Sequence, residues 1–246
     1  MTIARDGWRE ILISTVICHS LAGACLWAAR QVSPLFWIPA VALWGVWLFT
    51  VAFFRDPYRE IPSEPGILVS PADGKVTEVS RLDRYEGIDG PALRISIFLS
   101  VFNVHVNRVP CAGRVRRIAY QPGEFLDARH PECGIRNEAN TIVIDPAQEM
   151  SGPVIVRQVA GLIARRIVCN LREGDPVERG QRLGLIKFGS RTDLIVPAAS
   201  GLEPAVRVND VVSGGDTVLL RPARSRAGQG GPRGAGMERR EAAARH

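Results

Sequence analysis

The chain has few of the residues from which many enzymes build a site. Its 246 residues hold only four histidines and five cysteines. Cys18, Cys25, Cys111, Cys133 and Cys169 are scattered, with no CxxC pair and no ligand spacing, so a zinc centre or redox dithiol has no support. No Gly-x-Ser-x-Gly elbow surrounds Ser190, and no carrier-type Met-Lys-Met or Asp-Lys-Ala motif is present. No recognition element accompanies the basic residues, which argues against a specific nucleic-acid partner.

Charge is missing from two long stretches. Residues 11–29 hold no acidic or basic side chain apart from His19, and residues 31–54 hold none. As helices they would reach about 28 and 36 Å, against a hydrocarbon core of ~30 Å. Val32-Ser33-Pro34 is a natural turn between them, and Pro34 or Pro39 suits the start of the second helix. The pattern predicts a membrane hairpin; a helical pair buried in a soluble core is the alternative. A cleaved signal peptide fits less well, because the second apolar stretch follows at once without a cleavage site. Trp27, Trp37, Trp44 and Trp47 suit either an interfacial belt or the hairpin interior. Arg5, Arg9, Arg55 and Arg59 flank the hairpin outside, against Arg30 near its turn, which places both termini in the cytoplasm.

What is present after Pro57 has a different period. Short runs at 67–69, 74–79, 92–99, 141–144, 154–159 and 167–169 are β-rich and punctuated by Gly, Pro, Asp and Asn. The segments 173–181 and 209–216 echo one another and resemble the turns of biotinyl and lipoyl hybrid-barrel sandwiches. The fold expected is mainly β, a hybrid-barrel-sandwich-like domain over 57–220 behind a hydrophobic hairpin over 1–56. From Arg221 onward seven Arg face two Glu, so this tail holds +5 of the +6 net charge. Its Gly, Ala, Pro and Arg content predicts a solvated, disordered segment over 221–246 with at most weak contact to anionic lipid.

Three motifs occur in order: Ser70-Pro71-Ala72-Asp73-Gly74-Lys75, Phe102-Asn103-Val104-His105-Val106-Asn107-Arg108 and Phe188-Gly189-Ser190-Arg191-Thr192-Asp193. Together they resemble the short-form phosphatidylserine decarboxylases, over residues 50–220 and the apolar segment before them. The resemblance implies a proenzyme that cuts itself between Gly189 and Ser190. It implies a β chain of 1–189, an α chain of 190–246 held non-covalently, and a covalent pyruvoyl cofactor made from Ser190, with no metal or nucleotide. Glycine tolerates the strained geometry that serine attack on its carbonyl requires.

The same resemblance assigns Asp73 to self-cleavage, orienting a histidine base, although Ala-Asp-Gly-Lys also reads as a plain turn. His105 would serve as base in maturation, as acid in decarboxylation, or as both. The longer bacterial members have a second histidine where Arg108 stands and an aspartate where Asn103 stands, so the relay through His105 is open. Arg108, Arg191 and Lys187 are candidates for the lipid phosphate or carboxylate, with surface ion pairs as the alternative. Phe53-Phe54-Arg55-Asp56-Pro57 also matches where the chain leaves the membrane, and would set Arg55 near the headgroups. Residues 136–140, Arg-Asn-Glu-Ala-Asn, read as a turn supporting the pocket, and His130 as an exposed loop residue. The expected substrate is phosphatidylserine, with a dimer of αβ units as a further expectation. The competing reading is a membrane-anchored hybrid-barrel adaptor without activity.

Overall fold

The computed structural model describes residues 2–128, 130, 132–147, 150–162, 166–187 and 189–223. The basic tail from position 224 onward, read above as disordered, lies outside the described residues.

Two helices open the chain, α1 (Trp8–Gln31) and α2 (Trp37–Phe53). Between them Ser33 Oγ accepts from the Leu35 amide and Pro34 opens a 3₁₀ turn, so the chain reverses at Val-Ser-Pro. Pro39 falls in the first turn of α2, where a missing N–H leaves no bond unmade. The runs Arg5–Gln31 and Pro34–Phe53 are long and apolar enough to cross a membrane. Small residues let the helices approach, Ala22 and Ala40 both being buried. Trp47 turns inward, its indole N–H donating to Thr15 Oγ1 at 2.9 Å, while Trp27 and Trp37 stay exposed.

Strand β1 (Thr2–Ile3) pairs with β2 (Arg55–Asp56), tying the two ends of the hairpin together. The chain continues through β3 (Leu68–Val69), β4 (Gly74–Leu82), β5 (Ala92–Leu99), β6 (Val106–Arg108) and β7 (Gly113–Gln121). After a single helical turn, α3 (Cys133–Arg136), come β8 (Ala139–Pro146), β9 (Val154–Ala160), β10 (Arg166–Cys169), β11 (Pro176–Val177) and β12 (Arg182–Lys187). Then follow β13 (Ser190–Pro197), β14 (Leu202–Pro204), β15 (Val211–Val212) and β16 (Val218–Pro222). Eight strands form one antiparallel sheet, in the order β11-β7-β8-β9-β13-β5-β4-β15. Bulges at Val76/Glu78 and Val115/Arg117 curl it into a half-barrel. Its concave face buries an aliphatic core that includes Ile97, Ile142, Val156 and Leu194. Smaller sheets, β10-β12-β6 and β14-β16-β3, complete the body. The fold is mainly β behind two apolar helices, as the sequence pattern predicts.

The echo between 173–181 and 209–216 is a structural repeat. Val115 N donates to Asp175 O and Gly174 N to Val115 O; in the other half Val76 N donates to Asp210 O and Asn209 N to Val76 O. Each turn is closed by its own aspartate, Arg172 N to Asp175 Oδ2 at 2.8 Å and Arg207 N to Asp210 Oδ2 at 2.7 Å. The strand entries repeat too: Pro-Ala-Asp-Gly-Lys-Val at 71–76 matches Pro-Cys-Ala-Gly-Arg-Val at 110–115.

The hairpin is docked on the β body. Ala4, Ile11, Phe53 and Phe54 pack against Val104, Val106 and Leu185. Burying each phenylalanine contributes about 1.5–3 kcal/mol. Lys187, at the end of β12, pairs with Glu10 of α1 at 2.6 Å and lies over the Phe54 ring. Several strands lie outside the β-rich runs, β7, β12 and β13 being the longest. β7 carries Arg114, Arg116 and Arg117, and β13 carries Arg191 and Asp193, so neither reads as apolar.

Candidate active site at the Gly189–Ser190 junction

The junction lies where β12 gives way to β13. Gly189 has φ +59°, a left-handed conformation that favours glycine, and Ser190 is the first residue of β13. Ser190 is not in an exposed turn: it pairs with Leu99 of β5 on one side and Ala160 of β9 on the other. Alternation along the strand sends Ser190 and Thr192 to the face of Leu194 and the core, and Arg191 and Asp193 to the opposite face. The Ser190 hydroxyl is fully buried and has no hydrogen-bond partner among the described residues.

His105 meets the junction directly. The Gly189 amide donates to His105 Nε2 at 3.3 Å, so Nε2 must be unprotonated. Nδ1 then carries the hydrogen and donates to Asn103 O at 3.0 Å, a tautomer assigned from these partners. Burial pushes the imidazole pKa down to about 4; the Asn103 carbonyl opposes this shift and Arg55 reinforces it. Phe53, the last residue of α2, lies against the ring with centroids 4.3 Å apart. A neutral, dry imidazole therefore faces the peptide unit next to the buried serine.

A chain of amides crosses the interior below. Asn140 Nδ2 donates to Gln158 Oε1, Gln158 Nε2 to Asn107 Oδ1 and Asn107 Nδ2 to Thr192 Oγ1, at 3.2, 2.8 and 3.3 Å. Asn137 is a staple between loop and strand. Its Nδ2 donates to Leu126 O and Ala160 O, and its Oδ1 accepts from Leu126 N. Sequence reading took 136–140 as a supporting turn, whereas Ala139 and Asn140 already belong to β8, and gave Asn107 and Gln158 no role. Their only sequence signal is an amide at an inward position of a β strand.

Asp73 sits in the turn before β4. It accepts from Arg59 at 2.6 Å and from the Gly214 amide at 2.7 Å, and shares no hydrogen bond with His105 among the described residues. Burial pushes its pKa up, although Gly214, Arg59 and Arg108 pull the other way. The equivalent turn of the repeat has Ala112 at this position, so the backbone turn does not need a carboxylate.

All three cations proposed for the lipid headgroup have acidic partners. Arg108 pairs with Asp56 at 2.5 Å and also donates to Gly180 O, Arg191 pairs with Asp193 at 2.7 Å, and Lys187 pairs with Glu10. Arg191 is on the sheet face away from Ser190, near Ser96 and Glu78. Arg55, by contrast, donates to the carbonyls of Ala52 and Phe102 and has no acidic partner among the described residues. His130 is exposed. Among the described residues no cluster of His, Cys, Asp and Glu could hold a metal ion.

Comparison with known proteins gives the family. No long helical segment interrupts the described β body, as an adaptor would require. The family model for phosphatidylserine decarboxylase matches residues 46–220, from the second half of α2 to β16. The phosphatidylserine decarboxylase proenzyme of Desulfotalea psychrophila is 48% identical over 171 residues, covering 70% of this chain and 78% of that one. The proenzyme of Rhodopirellula baltica is 41% identical over 90% of this chain and 88% of its own. That of Cupriavidus pinatubonensis is 40% identical over 88% and 94% respectively. The match covers both halves of the repeat and the junction between β12 and β13, and with it the chain belongs to the phosphatidylserine decarboxylase family of enzymes.

Proposed function

We propose that the chain is a self-processing proenzyme that decarboxylates phosphatidylserine to phosphatidylethanolamine at a site made from Ser190. The observation that carries this reading is a buried serine hydroxyl without a partner among the described residues, following a left-handed glycine whose amide donates to a neutral imidazole. Ser190 Oγ bonds to the Gly189 carbonyl carbon, the peptide C–N bond breaks, and the hydroxyl proton passes to the freed amine. The amide has become an ester. Removal of the Ser190 α-hydrogen expels the Gly189 carboxylate; one water enters and one ammonia leaves, converting residue 190 to a pyruvoyl group. The site suits such a group, since the position is enclosed and its polar neighbour is uncharged. Once formed, the pyruvoyl ketone would supply the Schiff base with the substrate amine and the electron sink for loss of CO2.

The remaining roles belong to the chain itself. His105 Nε2 holds or gives the proton at the junction, and Phe53 keeps water from it. Asp73 supports processing through its turn. Arg55 takes the lipid phosphate, its guanidinium near the end of α2 and near His105. Residues 1–56 anchor the enzyme, 57–220 form the catalytic unit, and the Arg bias around the hairpin sets that unit on the cytoplasmic side.

Intact mass of the wild-type protein beside Ser190→Ala tests the reading. The wild type is expected as two chains, 1–189 and a ketone-bearing 190–246, and the variant as one. A wild-type chain that stays whole with a free Ser190 in membrane-like conditions sinks it.

A further inference from the structure

Resting on that reading of the junction, we propose that Gly161 is a positioning residue for the scissile peptide, its missing side chain being the seat of the Gly189 carbonyl oxygen. A Cβ placed on Gly161 would lie 2.3 Å from that oxygen and 3.1 Å from the carbonyl carbon, with the Ala128 methyl at 3.3 Å. Gly161 is not among the left-handed glycines, so the obstacle to alanine there is space, and the carbonyl is the nearest part of it. Other crowded glycines meet different carbonyls: Gly74 faces Phe98 O, Gly113 faces Asp145 O and Gly184 faces Val168 O. The carbonyl facing Gly161 belongs to the bond to be cut.

The seat is held from both sides. Gly161 follows Ala160, the β9 partner of Ser190. Ala128 follows the loop segment at Leu126. The Asn137 staple joins these two pieces, bonding Leu126 through both its amide and its carbonyl and Ala160 through its carbonyl, all within 2.9 Å. Cys133 Sγ donates to Ala128 O at 3.1 Å and fixes the loop further. Serine has a short side chain, and here its backbone is locked between β5 and β9. The attacked carbon must therefore be brought to the hydroxyl, since the hydroxyl has little freedom to search. A displacement of about 1 Å in such an arrangement costs about 100-fold in rate.

The test follows self-cleavage of the full-length wild type, Gly161→Ala, Asn137→Ala and Ser190→Ala by intact mass over time in lipid vesicles. Gly161→Ala is expected to cleave about 100-fold more slowly and Asn137→Ala about 10-fold more slowly than wild type. The uncut Gly161→Ala chain should melt within a few degrees of Ser190→Ala. Hydroxylamine, which cleaves esters and spares amides, should leave it whole, because the defect precedes ester formation. Wild-type rates in both variants would overturn the proposal, as would a hydroxylamine-sensitive ester accumulating in Gly161→Ala. If Gly161→Ala melts far below Ser190→Ala, Asn137→Ala decides, since it adds no atom at the carbonyl. A wild-type chain that never cleaves removes the self-processing reading itself, and this inference with it.

Discussion

At the residue scale the site shows two polar groups held in states that are costly to maintain. A buried hydroxyl without a partner costs about 1–3 kcal/mol relative to a satisfied one, and Ser190 Oγ has none among the described residues. His105 is kept neutral by burial, with its pKa near 4 against an ordinary 6.5. Between those values the unfolded chain binds a proton that the native chain refuses, so stability rises with pH across this window. His105 therefore contributes no penalty above pH 6.5 and an increasing one as pH falls toward 4. The melting temperature of the uncut Ser190→Ala protein is predicted to drop through that range, and to drop less in Ser190→Ala/His105→Gln. Parallel curves for the two proteins would show that His105 is not the group being titrated. Asp73, whose pKa burial raises, acts in the opposite sense at the acid end, and the comparison cancels it.

The element scale separates a turn from its side chain. The paired entries at 71–76 and 110–115 have the same backbone role, yet one carries Asp73 and the other Ala112. The carboxylate, present in only one copy, is tied to Arg59 and to Gly214 of the repeated turn, and the proposed role in processing is tested by removing its charge. Asp73→Asn keeps the shape and an acceptor for Gly214. It is predicted to fold with a melting temperature within a few degrees of the parent, yet to slow self-cleavage at least about 10-fold. Cleavage at the parental rate would leave Asp73 as a turn residue. The three motifs and the internal echo were legible in the chain because they are local patterns of residue type. β13 was not legible, because its outward Arg191 and Asp193 neutralise each other only once the strand is formed.

For the whole molecule, cutting after Gly189 opens a loop without removing a strand. The α chain would keep β13 in the middle of the large sheet, paired along its length with β5 and also with β9, and would add β15 at that sheet's edge and β14 and β16 to the small sheet with β3. The two chains are predicted to co-purify as one particle in detergent without a denaturant and to separate only on unfolding. Native mass spectrometry checks this, and free α chain under native conditions would contradict it.

The hairpin gives the same lesson at full scale. Uncharged stretches and a Val-Ser-Pro turn are enough to determine two apolar helices, because helix length and hydropathy are properties of consecutive residues. Alternating β-rich runs between turn residues determine a β body in the same way, and the ordered motifs determine the family. Tertiary structure alone decided that Phe53 at the end of α2 covers His105, and that Glu10 of α1 takes Lys187. It also decided that Arg108 meets Asp56, and that Gly161 makes room for the Gly189 carbonyl. These are meetings of residues far apart in the chain. They are set by how curled sheets and docked helices fill space, which no local pattern of residues encodes.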